Sequence, residues 1–332
     1  MDVIVTVHTE FGVVLNRKVL ALKEPGVIGV YKGLKNILQV ANKYNVRLTL
    51  AVMPEVASHV PKDVLKSRLV GIGLHVHPGW VKFRKQGIEF YVGDSVLKEL
   101  VSTSINASVL KDYSYKEQSE LIKAGRDYIE DKLGERPKVF VAGRWSINDH
   151  TVRALINCGF THDCTPPAHQ SAAHFDWSKL PRIAMPYLPS ESNYQLEGNL
   201  PLLICPISQY YPLGNVNPEA SIYVGTKWLK ACFLEYYGQG LPFFHIILHS
   251  PAATDPYLLT SFDELVSFIS RHENVSFRHA TEVKYYGKYR TKTNLFPYLF
   301  YGLNPLAVRS LLISWLKRKH KKKPAGCAAP RT

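Results

Sequence analysis

The segment Gly71-Ile72-Gly73-Leu74-His75-Val76-His77-Pro78-Gly79-Trp80 ends an apolar run with two histidines. Residues two apart on a β-strand face the same side, so this segment would bring the imidazoles of His75 and His77 together at a strand end. The spacing suits a metal site, although paired histidines also occur on solvated strands. We therefore predict a strand over residues 69–76 whose two histidines are candidate metal ligands.

The sequence around this segment alternates between helical and strand patterns. Apolar residues recur with helical spacing over residues 30–44, and residues 47–53 alternate as a strand does. The further predicted elements are a helix at 115–133 that ends at Gly134, a strand at 138–141, a helix that Asn148 or Asp149 caps and Gly159 ends, strands at 202–205 and 243–249, and a helix to about residue 272 that follows a Ser261–Glu264 capping box. This order predicts a mainly parallel sheet, either an open doubly wound sheet or a barrel.

Two stretches depart from the alternation. Residues 165–195 are rich in Pro, Ser, Ala and His without a clear period, so we expect a long excursion over the strand ends. From about Lys284 the chain interleaves Tyr and Lys, continues with an amphipathic segment at 294–316, and then carries the basic run of residues 317–323. We predict one main domain at 1–285 and an amphipathic and basic C-terminal extension at 286–332.

Composition limits the classes of protein that the chain can belong to. Its 332 residues are 46% hydrophobic and 20% charged, enough for one large α/β domain or two small ones. The formal net charge is +14, and the basic run is open to three interpretations: a solvated tail, a contact with an anionic membrane surface, or a contact with nucleic acid. No nucleic-acid-binding module is recognisable, so we expect no nucleic acid partner.

The cysteines and the first residues bear on the compartment. Five cysteines without CxxC spacing favour a reducing environment over a disulfide framework or a structural zinc site. The first residues are typical of a buried strand rather than of a secretory signal, and no apolar run approaches the roughly 20 residues of a membrane span. We expect a cytoplasmic protein that contacts a membrane only peripherally, at the inner face.

More polar residues lie where predicted strands end. His8 and Glu10 leave the first strand with the same parity, and Glu10 is a candidate carboxylate ligand that would join His75 and His77 in a set open to water and substrate. Arg144 and His249 interrupt apolar runs at two further strand ends. Sites of parallel α/β folds assemble at this edge, whereas His245, deeper in its strand, is typical of a core histidine.

Four ordered segments resemble the motif series of the polysaccharide deacetylases, carbohydrate esterase family 4. They are residues 5–12, 71–80, 140–165 and 244–257. The most specific match is Ala142-Gly143-Arg144-Trp145 with Gly159-Phe160 and Asp163 after it, followed by Leu248-His249-Ser250. The resemblance implies a distorted (β/α) barrel that forms a single catalytic domain.

The resemblance also implies a divalent metal, commonly zinc, that polarises an acetamide carbonyl and activates water. Glu10, His75 and His77 stand at the positions of its ligands. The second histidine of the usual His-x-x-x-His pattern corresponds to Gly79, so strand parity assigns that ligand to His77.

The remaining roles follow from the same resemblance. His249 stands where the family has the general acid for the leaving amine, Arg144 where an arginine orients the base, and Asp163 where a carboxylate orients the acid histidine. His8 departs from the pattern, because the family usually has Asp there as catalytic base. Three alternatives stay open: His8 is the base, it is a fourth metal ligand, or it marks lost activity.

The function expected from these residues is removal of an N-acyl group, acetyl in the first instance, from an amino sugar in envelope polysaccharide biosynthesis. The expected substrate is an amino-sugar-containing glycan, a nucleotide-sugar or a lipid-linked intermediate. The alternative is a catalytically weakened barrel that binds a glycan or a biosynthetic partner without turnover. The C-terminal tail would serve to contact an anionic membrane surface.

Overall fold

The computed structural model describes residues 1–20, 26–84, 87–90 and 109–321. Its main element is a parallel sheet with the strand order β6-β5-β4-β3-β2-β1-β7, and an eighth strand, β8, pairs with the first residues of β1. The strands are β1 (Asp2–Thr9), β2 (Leu48–Val52), β3 (Val70–Val76), β4 (Val139–Ala142), β5 (His162–Asp163), β6 (Leu203–Ile204), β7 (Phe243–His249) and β8 (Ser276–Arg278). The seven strands of the main path curl into a half barrel.

Helices connect the strands and cover the outer face of the sheet. They are α1 (Leu34–Tyr44), α2 (Lys62–Leu65), α3 (Tyr115–Leu133), α4 (Asp149–Asn157), α5 (Ser221–Val224), α6 (Thr226–Tyr237), α7 (Pro256–Ile269) and α8 (Pro305–Lys321). Parallel strands need crossover connections, and a helix that buries one apolar face against the sheet supplies them. Among the residues that the structure describes, no helix is both long and apolar enough to cross a membrane.

The core has one part on each face of the sheet. Val3, Val5 and Val7 of β1 belong to the large cluster between the sheet and the helices, whereas Ile4 belongs to a smaller cluster inside the curl. This division follows the two-residue period of a strand. The strand is therefore buried on both faces, as expected for a central parallel strand.

The helix predicted at 115–133 is confirmed, together with the signals that bound it. The Ser114 hydroxyl accepts a hydrogen bond from the Glu117 amide, and the Glu117 carboxylate accepts one from the Ser114 amide, which forms a capping box. At the other end Gly134 has φ 75°, a left-handed conformation that glycine adopts without steric penalty. The helix predicted after Asn148 is likewise confirmed, with the Asn148 side chain as its cap.

The predicted start of the last barrel helix is wrong. The Ser261–Glu264 pair lies inside α7, which begins at Pro256 after Asp255. The Asp255 carboxylate accepts hydrogen bonds from the amides of Tyr257 and Leu258, and it satisfies two of the amides that a helix start leaves without partners. A proline at the first helical position needs no such partner, so Asp-Pro was the stronger signal.

The excursion predicted at 165–195 packs beside the end of β4. Trp177 is buried, and its indole N–H donates to the Trp145 carbonyl at 3.0 Å. The Trp145 ring also lies edge-on against Phe175, with ring centroids 5.5 Å apart. These contacts hold the excursion over the carboxyl edge of the sheet.

The chain beyond residue 285 also packs on the main domain. Tyr298 is buried, and its hydroxyl donates to the Glu235 carboxylate of α6 at 2.8 Å and accepts from the Tyr211 amide at 3.1 Å. Arg182 pairs with the same carboxylate, and the Asn294 amide donates to it at 2.8 Å. Residues after position 285 thus contact the buried ion pair of Arg182 and Glu235, which lie before it. The boundary at residue 285 stays a prediction.

Replacing Tyr298 with Ala should lower the free energy of unfolding by about 3–5 kcal/mol, because it removes a buried ring and leaves Glu235 with fewer donors. Tyr298→Phe, which loses only the hydroxyl, should cost about 1–2 kcal/mol. Urea denaturation measures both values. The control is Leu299→Ala at the exposed neighbouring position, which should change stability by less than about 0.5 kcal/mol.

Candidate metal centre and neighbouring histidines

The carboxyl ends of β1, β3 and β7 bring four imidazoles to one edge of the sheet. His8 lies directly beside His249 in the pairing of β1 with β7, and His75 lies near the end of β3. Glu10 and His77 follow the ends of β1 and β3. The structure therefore brings together His8, Glu10, His75, His77 and His249, all predicted as site residues.

Glu10, His75 and His77 form a buried cluster with three converging ligand atoms. Glu10 Oε2 lies 3.5 Å from His75 Nε2 and 3.4 Å from His77 Nε2, and the two imidazole nitrogens are 3.1 Å apart. Three atoms that each bind a tetrahedral zinc at about 2.1 Å would stand about 3.4 Å from one another. The cluster thus has the dimensions and the nitrogen and oxygen donors of a divalent metal site.

The surroundings hold the two histidines in orientations that suit ligands. His75 Nδ1 donates to the Val141 carbonyl at 3.0 Å, which orients the ring so that Nε2 faces Glu10. Gly143 lies against the His77 ring, where a Cβ atom at residue 143 would come within 2.5 Å of Nδ1. A side chain at this position would displace His77, so the glycine is required by the close approach.

The protonation states of the cluster also fit a cation. Burial would raise the pKa of Glu10, but hydrogen bonds from His75 and His77 hold it well below its usual value. Burial lowers the pKa of His77. At neutral pH Glu10 is therefore a carboxylate and His77 a neutral imidazole, the forms in which these side chains bind metals.

His8 occupies the space between the metal cluster and His249. Its ring stacks on His75 and meets His249 edge-on, with 4.9 Å between centroids in both cases. Burial, followed by the charges of His249 and His75, lowers the pKa of His8 well below its usual value. His8 is neutral, and its buried Nε2 has no hydrogen-bond partner among the described residues, which leaves that nitrogen available to a proton or a ligand.

His249 has the opposite electrostatic environment, because Glu219 lies against it. His249 Nδ1 donates to Glu219 Oε1 at 2.8 Å, and its backbone amide donates to the same oxygen at 2.9 Å. Burial would lower the pKa of His249, but the hydrogen bond and charge of Glu219, with the charge of Glu10, raise it to about 9. His249 Nε2 lies 4.0 Å from Glu10 Oε1, so a protonated imidazole borders the metal cluster.

The structure corrects the contact predicted for Asp163. This carboxylate lies on β5, which three strands separate from β1 in the sheet, and its Oδ1 accepts hydrogen bonds from the amide and hydroxyl of Thr165. Burial raises the pKa of Asp163 to about 7. Glu219, which sequence analysis missed, is the carboxylate that holds His249.

Glu219 gave only a weak signal in the sequence. It lies in Asn217-Pro218-Glu219, where the Asn217 side chain caps a single turn of 3₁₀ helix. The capping residue Asn217 and Pro218 could have predicted a turn there. However, Glu219 lies neither in a periodic apolar pattern nor at a strand end, so nothing in the sequence linked it to the metal cluster.

Arg144 follows β4 in a left-handed backbone conformation, with φ 55° and ψ 19°, and Trp145 beside it has φ 54°. The charge of Arg144 lowers the pKa of His77, and Arg144 and Lys111 act in the same direction on His174 after burial. Lys111 Nζ donates to the Ala173 carbonyl at 3.2 Å. Among the described residues no hydrogen bond joins Arg144 to His8, so its orienting role stays a prediction.

Comparison with solved structures finds proteins of the same fold. A protein from Mycobacterium smegmatis assigned as a polysaccharide deacetylase has a TM-score of 0.51 and 16% identity, over 92% of this chain and 84% of that chain. A protein from Pseudomonas aeruginosa PAO1, also assigned as a polysaccharide deacetylase, has a TM-score of 0.53 and 14% identity, over 85% of this chain and 88% of that chain. Puue allantoinase has a TM-score of 0.52 and 16% identity, over 85% and 88%. No family model matches the sequence, and no curated protein matches it.

These likenesses concern the fold. They confirm the distorted (β/α) barrel of the polysaccharide deacetylase type that the sequence motifs predicted. The buried cluster of Glu10, His75 and His77 lies at the carboxyl edge of this fold and could hold a metal ion.

Replacing His75 or His77 with Ala should abolish tight binding of Zn²⁺ or Co²⁺, because two ligand atoms hold a divalent cation far more weakly than three. Isothermal titration of the metal-stripped protein measures the affinity, and circular dichroism checks the fold. The matched control is His150→Ala, an exposed histidine on α4, which should bind as the parent does. Undiminished affinity in both site variants would remove these residues from the metal site.

Proposed function

We propose that this protein is a metal-dependent hydrolase that removes an N-acyl group, in the first instance acetyl, from an amino sugar. The observation that carries the proposal is the pairing of two unlike centres at one sheet edge. One centre is the Glu10, His75 and His77 cluster, and the other is His249 held by Glu219, with 4.0 Å between His249 Nε2 and Glu10 Oε1.

Hydrolysis of an acetamide needs stabilisation of the developing oxyanion, a nucleophilic water and a protonated leaving nitrogen. A divalent cation such as Zn²⁺, bound by Glu10, His75 and His77, would polarise the acyl carbonyl and lower the pKa of water. The protein's own residues must then move two protons, one away from the water and one to the nitrogen.

His249 is suited to donate the second proton. Its pKa of about 9 keeps the imidazole protonated at neutral pH, and its side chain is 26% exposed. Substrate can therefore reach Nε2 while Nδ1 stays bonded to Glu219. Donation to the amine nitrogen as the C–N bond breaks converts a poor leaving group into a neutral amine.

His8 is suited to accept the first proton. Burial keeps it neutral, and its Nε2 has no hydrogen-bond partner among the described residues that would compete for a proton. The pKa values of His8 and His249 are moved in opposite directions, which is the pattern of a base and an acid that act in one reaction. We assign His8 as the base, in the position where related proteins have Asp.

The substrate that fits best carries a negative charge near the acyl group. Arg144 lies close enough to the metal cluster for its charge to lower the pKa of His77, and the charges of Arg144 and Lys111 both act on His174. A phosphate would neutralise Arg144 and Lys111, as in a nucleotide-linked or lipid-linked amino sugar. We propose that such a substrate belongs to the assembly of an envelope polysaccharide.

Glu219→Gln should lower the pKa of His249, because the variant loses the charge that stabilises the imidazolium. A general acid works only while protonated, so activity falls as pH rises through its pKa. The decline should begin near pH 9 in the parent and nearer neutrality in the variant, with kcat at pH 8.5 about tenfold or more lower. The pH profile of acetate release tests this, with Glu120→Gln on exposed α3 as control.

The role of His8 is tested by measuring acetate released from acetylated amino sugars by three proteins. If His8 is the base, His8→Ala should reduce kcat by about 10²-fold or more, and His8→Asp should retain activity, since a carboxylate can also accept the proton. Faster turnover with weaker metal binding in His8→Ala would instead identify a fourth ligand. Release of acetate by none of the proteins from nucleotide-linked and lipid-linked substrates would contradict the proposed hydrolysis.

A further inference from the structure

The last described residues expose an unusual amount of apolar surface. More than half of the exposed large apolar side chains in the described ranges lie within residues 295–316. Phe300 is 74% exposed, Phe296 is 63% exposed, and their rings stack with centroids 4.1 Å apart. An exposed apolar area this continuous is uncommon on a protein that meets only water.

Helix α8 has apolar residues on two faces. Ala307 is buried and Leu311 packs against the main core, so these positions attach the helix to the protein. Val308 and Leu312, with Leu316 one turn further, lie on another face and are exposed. The attaching face is satisfied by the protein's own core, and the other face needs a second apolar partner.

An open groove continues this second face. It is lined by Leu303, Pro305, Val308, Leu312 and Ile313, together with Asn304 and Arg309. The lining is almost entirely apolar, so the groove suits hydrocarbon rather than a sugar or a nucleotide. We call this area, with the two stacked rings, the C-terminal apolar surface; its principal residues are Phe296, Leu299, Phe300, Leu303, Leu312 and Ile313.

The charge that follows identifies the kind of partner. The sequence Lys317-Arg318-Lys319-His320-Lys321-Lys322-Lys323 begins directly after Leu316. Apolar side chains next to a run of lysines and arginines match the two layers of a bilayer surface, where acyl chains lie beneath anionic headgroups. A second copy of this chain would bring two such basic runs together, which is unfavourable.

We propose that the C-terminal apolar surface and the basic run dock this protein onto an anionic lipid bilayer. The aromatic and aliphatic side chains enter the interfacial layer, and the basic residues bind the headgroups. This inference does not depend on the proposed reaction.

The surface is also connected to the catalytic edge. The Asn304 side-chain amide donates to the Val224 carbonyl at 2.9 Å, and Val224 ends the short segment that begins near Glu219. Docking would therefore hold the His249 side of the site close to the membrane, where lipid-linked substrates are.

Sedimentation of the full chain with vesicles tests the docking. The parent should partition onto phosphatidylglycerol vesicles at least about tenfold more strongly than onto phosphatidylcholine vesicles, and about 0.5 M salt should weaken binding because it screens the charges. The double variant Leu299→Ser/Phe300→Ser should lose about tenfold or more in partition onto the anionic vesicles. The control is Leu15→Ser, since Leu15 is exposed to a similar extent but lies far from residues 295–316 in the sequence.

Two results would overturn the inference. One is equal partition of the parent and the double variant onto the vesicles. The other is a parent that does not bind vesicles but forms a concentration-dependent dimer in sedimentation velocity, while the double variant stays monomeric. Acetate release from a water-soluble substrate should be unchanged in the double variant. Loss of docking with turnover intact, or the reverse, keeps this inference separate from the proposed reaction.

Discussion

The buried carboxylate of Glu10 is the constraint on which the site depends. A charge removed from water must be compensated by polar groups close to it. Here the imidazoles of His75 and His77, at the end of β3, lie against the Glu10 carboxylate. The carboxylate has these partners because β1 and β3 are both in register with β2, which lies between them. The parallel sheet thus serves as the frame that sets the spacing of the ligand atoms.

The same edge holds two histidines in opposite protonation states. His8 and His249 are neighbours in adjacent strands, yet burial keeps one neutral while Glu219 keeps the other charged. A single carboxylate from an irregular segment accounts for the difference. Environment rather than residue type therefore sets the protonation state of each histidine, as it does where two like groups serve as acid and base in one enzyme.

Sequence reasoning reached the parts of this structure that follow a period. Six of the eight strands, α3 and the parity that joins His75 with His77 were predicted from apolar patterns and capping residues, and the motif resemblance implied the barrel. Sequence reasoning failed for side-chain contacts that no periodic pattern marks. Glu219 has no periodic neighbours, Asp163 was assigned by resemblance to a partner that it does not contact, and the cap at Asp255 was passed over for a weaker pattern.

The backbone after β4 is strained at two consecutive residues. Arg144 and Trp145 both adopt left-handed conformations, which cost a residue other than glycine about 1 kcal/mol or more each. Glycine at residue 144 would relieve that strain and remove the guanidinium whose charge acts on His77, whereas glycine at residue 145 would also remove a ring that packs on Phe175. Selection of this protein for heat resistance alone would therefore enrich changes at residue 144 that remove a charge beside the metal cluster, so thermal screening should be coupled to a metal-binding measurement.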